Sequence, residues 1–178
     1  MIDPLPLLIA AGCLAAVLLH AAWPKLADRA LFHQHLAAYG VPEPLQLPLV
    51  WMLPLAEVSA ALGLITASRS FAALGAAALL LSYGAAMAWH LGRGRRLDCG
   101  CGGAPILLSG WLLLRNAVLV AIALLASLPS DGRMVGGADL AVAAAAVALA
   151  AVLYAAFHQL LRQQPALASA TTSNRSSV

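Results

Sequence analysis

The sequence predicts an all-α membrane protein, a polytopic bundle of about five transmembrane helices, on three observations. Hydrophobic residues make up 62% of the chain and charged residues only 10%, whereas soluble domains sit near roughly 45–50% and about 25%. The apolar residues gather into five stretches, 5–23, 47–66, 71–91, 106–128 and 138–157. Each approaches the roughly 20 residues that cross a hydrocarbon core about 30 Å thick. A mean hydropathy of +0.88 over 178 residues leaves room for spans and short connections, and for no separate soluble domain. Open strands are excluded at that depth, because their unpaired backbone groups would find no water.

The first stretch opens Met1-Ile2-Asp3-Pro4 rather than on a basic segment, so it reads as a retained helix and not a cleaved signal peptide. The polar segment 24–46 holds Lys25, Asp28, Arg29, His33, His35 and Glu43. Its Phe32, Leu36 and Tyr39 recur at helical spacing, which predicts a short interfacial helix. Pro48 and Pro54 are expected to bend the second span. The linker Ala67-Ser68-Arg69-Ser70 is short enough to force an antiparallel hairpin with the third. Gly63, Gly75, Ala78 and Gly84 are small enough to bring helix backbones close. A Gly- and Arg-rich loop, 92–105, precedes the fourth span, and 129–137 leads to an Ala-dominated fifth. Residues 1–161 are thus assigned to the bundle and the Ser/Thr-rich tail 162–178 to disorder.

Five spans place Lys25, Arg29, Arg93, Arg95, Arg96 and Arg162 on one side, and only Arg69 and Arg133 on the other. By the positive-inside rule the rich side, loop 92–105 included, is cytoplasmic and the N-terminus is outside. The formal charge of +3 is small and no basic–aromatic interleaving points to nucleic acid. The partner that composition implies is the lipid bilayer.

The loop carries the evident chemistry. Cys99 and Cys101 are separated by one glycine, so they could close only a small, strained ring that suits exchange better than stapling. Arg93, Arg95 and Arg96 favour the thiolate, the species that attacks a disulfide. Asp98 opposes that effect or serves a proton. The candidate redox pair is therefore Cys99 and Cys101, tuned by Asp98, Arg95 and Arg96. Two other readings stay open. A metal could take Cys99, Cys101 and His90, one ligand short of a structural zinc site. The cysteines could also be inert. Cys13, in mid-span, reads as a small buried hydrophobe.

Glu57 lies about ten residues into the second span, roughly 15 Å deep at 1.5 Å per residue. Arg115 lies at similar depth in the fourth span, which enters from the same side. A carboxylate in lipid calls for a partner, so a Glu57–Arg115 pair is expected, with Asn116 adding a hydrogen bond. The bland reading is a structural clamp, the alternative a proton- or quinone-linked role. His20 and His90 read as interfacial, as do Trp51, Trp89 and Trp111.

Together these residues resemble the methylamine utilisation protein MauE family, within the broader DoxX-like membrane proteins. The resemblance runs through Lys25-Leu26, Tyr39, Pro54-Leu55-Ala56-Glu57, Arg93-Gly94-Arg95-Arg96, Asp98-Cys99-Gly100-Cys101-Gly102, and Ser109 with Arg115-Asn116. It covers most of the chain up to the fourth span. The Asp-Cys-Gly-Cys element is its specific part, although Gly102-Gly103 stands where the family pattern has an aromatic residue and a glycine. The resemblance implies a four-helix core plus one further helix in the bacterial inner membrane. It implies a role in maturation, export or disulfide formation of the methylamine dehydrogenase beta subunit, with a thioredoxin-like partner, MauD. That dehydrogenase is periplasmic, whereas the charge count puts the loop at the cytoplasmic face. Either electrons cross the membrane or the loop arginines serve the thiols. The competing functions are a thiol–disulfide relay, a non-catalytic assembly factor, and a quinone-coupled subunit centred on Glu57.

Overall fold

The first span does not stop at its last tryptophan. In the computed structural model, which describes residues 2–66, 68–95, 97 and 108–175, α1 (Pro4–Ala27) runs four residues past the apolar stretch, with Pro24 inside it. Asp28 then serves two helices. Its amide closes α1 on the Pro24 carbonyl at 2.9 Å, and its carboxylate accepts from Leu31 N–H at 2.9 Å to start α2 (Arg29–Ala38). This is the expected short helix, with Phe32 and Leu36 buried against Val50. The chain continues through α3 (Glu43–Leu64), α4 (Arg69–Gly92), α5 (Gly110–Ser127) and α6 (Gly137–Arg175). Five of these six are long and apolar enough to cross a membrane, α6 over Gly137–Phe157. Where composition predicts disorder from 162 onward, the backbone stays helical to Arg175.

Each inner helix buries a stripe at three- and four-residue steps, one face of a 3.6-residue period. In α1 it is Leu7, Ala11, Leu14, Leu18, Ala22 and Lys25; in α3, Val50, Pro54, Glu57, Ala61 and Leu64. In α5 it is Leu112, Asn116, Leu119, Ala123 and Ala126. The stripes converge because α1, α3, α4 and α5 pack as a closed ring, α1 on α3, α3 on α4, α4 on α5 and α5 on α1. The fifth spanning helix, α6, lies outside that ring against α1. Leucines and alanines make the centre, and large apolar groups such as Leu55, Phe71 and Leu81 face outward. Lipid is as apolar as leucine, so it is close packing that holds such a bundle. Of the four small residues singled out, Gly63 and Gly84 sit at helix contacts, whereas Gly75 and Ala78 face outward.

Two links clasp the end opposite the cysteine loop. Ile2 pairs with Ser130, and Asp131 N–H donates to the Ile2 carbonyl at 3.0 Å. Arg133 is held between two carboxylates, reaching Asp3 at 3.1 Å and Asp139 at 3.0 and 3.1 Å. The Arg133 hydrogen bonds, and then the Leu5 amide, hold the Asp3 carboxyl below the usual aspartate range. A lowered carboxylate stabilises the fold above its unfolded value and loses that contribution as pH falls through the folded one. We therefore expect hydrogen-exchange protection of the Asp131 amide to fall below about pH 4. Asp3→Asn should remove that pH dependence and leave the amide less protected at neutral pH. Unchanged protection in the variant at both pH values would show that the clasp does not hold the N-terminus.

Candidate functional site at the loop end of the bundle

Glu57 is completely buried and its ion-pair partner is Lys25 of α1, not Arg115. The Lys25 ammonium and the Tyr83 hydroxyl, the latter at 2.8 Å, both donate to Glu57 Oε1. The ammonium also lies 4.9 Å from the centre of the Tyr83 ring and 5.7 Å from that of Phe32, so its charge meets a carboxylate and two aromatic faces. Glu57 Oε2 has no hydrogen-bond partner among the described residues. Three spans, α1, α3 and α4, are thereby joined at one carboxylate.

The expected Glu57–Arg115 pair fails on rotation, not on depth. Arg115 stands one residue before Asn116 on the α5 stripe, which turns it about 100° away from the interior at 3.6 residues per turn. Its Nη1 donates to the Tyr154 hydroxyl of α6 at 3.2 Å. Asn116 takes the interior position and donates to the Leu80 carbonyl of α4. The residues missed by sequence reasoning are Lys25 and Tyr83. Lys25 falls in the polar segment of the sequence, yet it continues the α1 stripe three residues after Ala22. That spacing was the available signal.

The second cluster sits where α4 gives way to the loop. His90 is buried rather than interfacial. It stacks edge-on to Tyr39 at 5.0 Å, and its Nε2 lies 3.1 Å from the Tyr39 carbonyl. A carbonyl only accepts, so Nε2 carries the proton and Nδ1 is left to face Arg95 Nη1 at 3.5 Å. The loop is pinched at its base, where Leu108 N–H donates to the Leu97 carbonyl at 2.9 Å. Leu108 packs with Met87 and Leu112, and Leu97, Tyr39 and Tyr83 cover that cluster. Of the predicted redox set, Arg95 lies at this base; Arg96, Asp98, Cys99 and Cys101 lie outside the described residues. Arg93 stacks on Trp89 at 3.9 Å and Arg29 on Trp51 at 4.5 Å, and Trp51, Trp89 and Trp111 are exposed. Cys13 is a half-buried free thiol between α1, α5 and α6.

Between the two clusters a cavity of about 320 Å³ opens among α1 to α4, with Lys25, Phe32, Tyr39, Leu53, Tyr83 and Met87 in its wall. The fold and these clusters define a multi-pass membrane protein, a four-helix core with one flanking span, carrying a Cys-Gly-Cys loop between its third and fourth spans. More particularly, the chain belongs to the family described as Methylamine utilisation protein MauE, whose profile matches residues 3–129. It is 46% identical over 77 residues to the methylamine utilization protein MauE of Paracoccus denitrificans, covering 41% of each chain. It is 38% identical over 110 residues to that of Methylophilus methylotrophus, covering 60% of this chain and 58% of the relative. The matched region thus spans about half the length of these relatives. No solved structure matches the chain.

Proposed function

We propose that the protein is an inner-membrane accessory factor for maturation of the methylamine dehydrogenase beta subunit, working through a Cys99–Cys101 thiol relay with a thioredoxin-like partner. The observation that carries this reading is the family match over 3–129, which makes it a methylamine utilisation protein and includes the Asp98-Cys99-Gly100-Cys101 loop. Cationic surroundings support the thiolate: Arg93 and Arg95 are exposed at the base of the loop. Arg29, Arg93 and Arg95 lie at the loop end and Arg69 and Arg133 at the other, a count of basic residues that favours a cytoplasmic loop face.

Alkylation trapping in cells should find Cys99 and Cys101 moving between oxidised and reduced forms with the redox state. Cys99→Ser or Cys101→Ser should abolish assembly of active dehydrogenase while leaving the membrane level of the protein unchanged. Assembly at the normal level in both variants would favour the non-catalytic assembly factor instead.

A further inference from the structure

We propose that the cleft between α5 and α6 holds an anionic phospholipid of the phosphatidylglycerol class, its phosphate at the loop end and one acyl chain along α1. Helices α5 and α6 each pack on α1, and between them lies a cavity of about 460 Å³. Its floor is α1 and its walls are α5 and α6, with Cys13, Val17, Leu119, Ile122 and Ala150 giving an apolar lining. From Val147 to Gln159 the α6 wall is roughly 18 Å long at 1.5 Å per residue. One leaflet of a hydrocarbon core about 30 Å thick is of similar depth, so a single acyl chain suits the length. A further helix, about 10 Å across, does not fit 460 Å³ drawn out over that distance. The deep end is shut. Gly12 of α1 and Val147 of α6 approach so closely that a Cβ on Gly12 would stand 2.7 Å from a Val147 methyl carbon.

The polar groups gather at the other end. His20, Tyr154 and Gln159 line the cleft there, and Arg115 of α5 reaches across to α6, its Nη1 donating to the Tyr154 hydroxyl at 3.2 Å. His20 stands edge-on to the Tyr154 ring at 6.2 Å. A phosphate diester accepts from guanidinium, imidazole and amide N–H groups, and a guanidinium pairs with phosphate through two parallel bonds. Arg115 is about five residues inside α5, roughly 7.5 Å from its start at Gly110, a depth from which a long side chain reaches the head-group region. Among the described residues no carboxylate lines the cleft, so an ammonium-bearing head such as choline gains nothing at this end. Arg29, Arg93 and Arg95 lie at the same end of the bundle and attract anionic lipid to this face. The lipid would give α6, which meets the ring through α1, a second attachment across the gap to α5.

The test is native mass spectrometry of the full chain, taken from vesicles of equal phosphatidylglycerol and phosphatidylcholine with matched acyl chains. One phosphatidylglycerol per chain should stay bound, favoured over phosphatidylcholine about tenfold or more. Ala150→Phe puts a ring into the cleft and should cut retention by a similar factor. Arg115→Gln should erase the preference between the two lipids and Arg115→Lys should keep it, each in protein shown to be folded by circular dichroism. In the Cys99→Ser/Cys101→Ser protein Cys13 is the sole thiol. Its alkylation by N-ethylmaleimide should be several-fold slower in phosphatidylglycerol than in phosphatidylcholine. Equal retention of the two lipids by the parent would overturn the proposal, since it marks a contact that selects no head group. So would unchanged retention in folded Ala150→Phe, or equal alkylation of Cys13 in both lipids, either of which places the lipid elsewhere. Displacement by excess inorganic phosphate would make this a site for a free anion, and a retained second copy of the chain would make the cleft a subunit seam. Both outcomes also overturn it.

Discussion

Lys25→Met or Glu57→Gln alone should sharply lower the folded fraction of the protein, and the two changes together should restore most of it. Each single change strands one charge among α1, α3 and α4, where Glu57 is fully buried and Lys25 is 8% exposed. Breaking a buried pair from one side costs about 3–5 kcal/mol in soluble proteins. The figure is expected to be smaller in a bilayer, because the unfolded chain in the membrane also finds partners. In the double variant the side-chain amide that replaces the Glu57 carboxylate still accepts from the Tyr83 hydroxyl, and no charge is left behind. A double-mutant cycle by reversible denaturation in mixed micelles measures the coupling. Glu57 should couple to Lys25 and be additive with Arg115→Gln, since Arg115 reaches toward Tyr154. Strong coupling to Arg115 with additivity at Lys25 would contradict the Lys25–Glu57 pairing.

Gly84→Ala should destabilise the α4–α5 contact by about 1–3 kcal/mol, the usual cost of overpacking. A Cβ at Gly84 would stand 2.8 Å from Asn116 Nδ2, and Asn116 cannot retreat without giving up its hydrogen bond to the Leu80 carbonyl. Asn116→Ala alone should cost less, about 0.6–1.7 kcal/mol, as side-chain hydrogen bonds between membrane helices do. Combined, the two should cost less than their sum, because the second change vacates the space the first requires. Gly75→Ala in the same helix is the control: nothing lies within 4 Å of its added Cβ. It should be neutral or stabilising by roughly 0.5–1 kcal/mol through the lower entropy cost of alanine in a helix. Equal losses at Gly75 and Gly84 would mean that propensity, and not the close approach to Asn116, sets the effect.

The number of spans, their order, the antiparallel hairpin at 67–70 and the amphipathic helix near Phe32 and Leu36 were legible in the sequence alone. These are one-dimensional properties: partition into lipid sums over about 20 consecutive residues, and a short linker admits only adjacent antiparallel helices. The family was legible too, because Asp98-Cys99-Gly100-Cys101 and Pro54-Leu55-Ala56-Glu57 are local strings. The need for a cation beside Glu57 could likewise be read from the sequence, since a carboxylate in hydrocarbon demands one. Which cation answered was decided by tertiary structure. Depth along a helix follows from counting residues, but the direction a side chain faces turns by about 100° per residue. One residue therefore separates the outward Arg115 from the inward Asn116. Lys25 won because α1 continues through Pro24 and keeps its stripe in phase with the ring interior. The burial of His90 under Tyr39 depends in the same way on a contact between residues 51 positions apart, which no local pattern encodes.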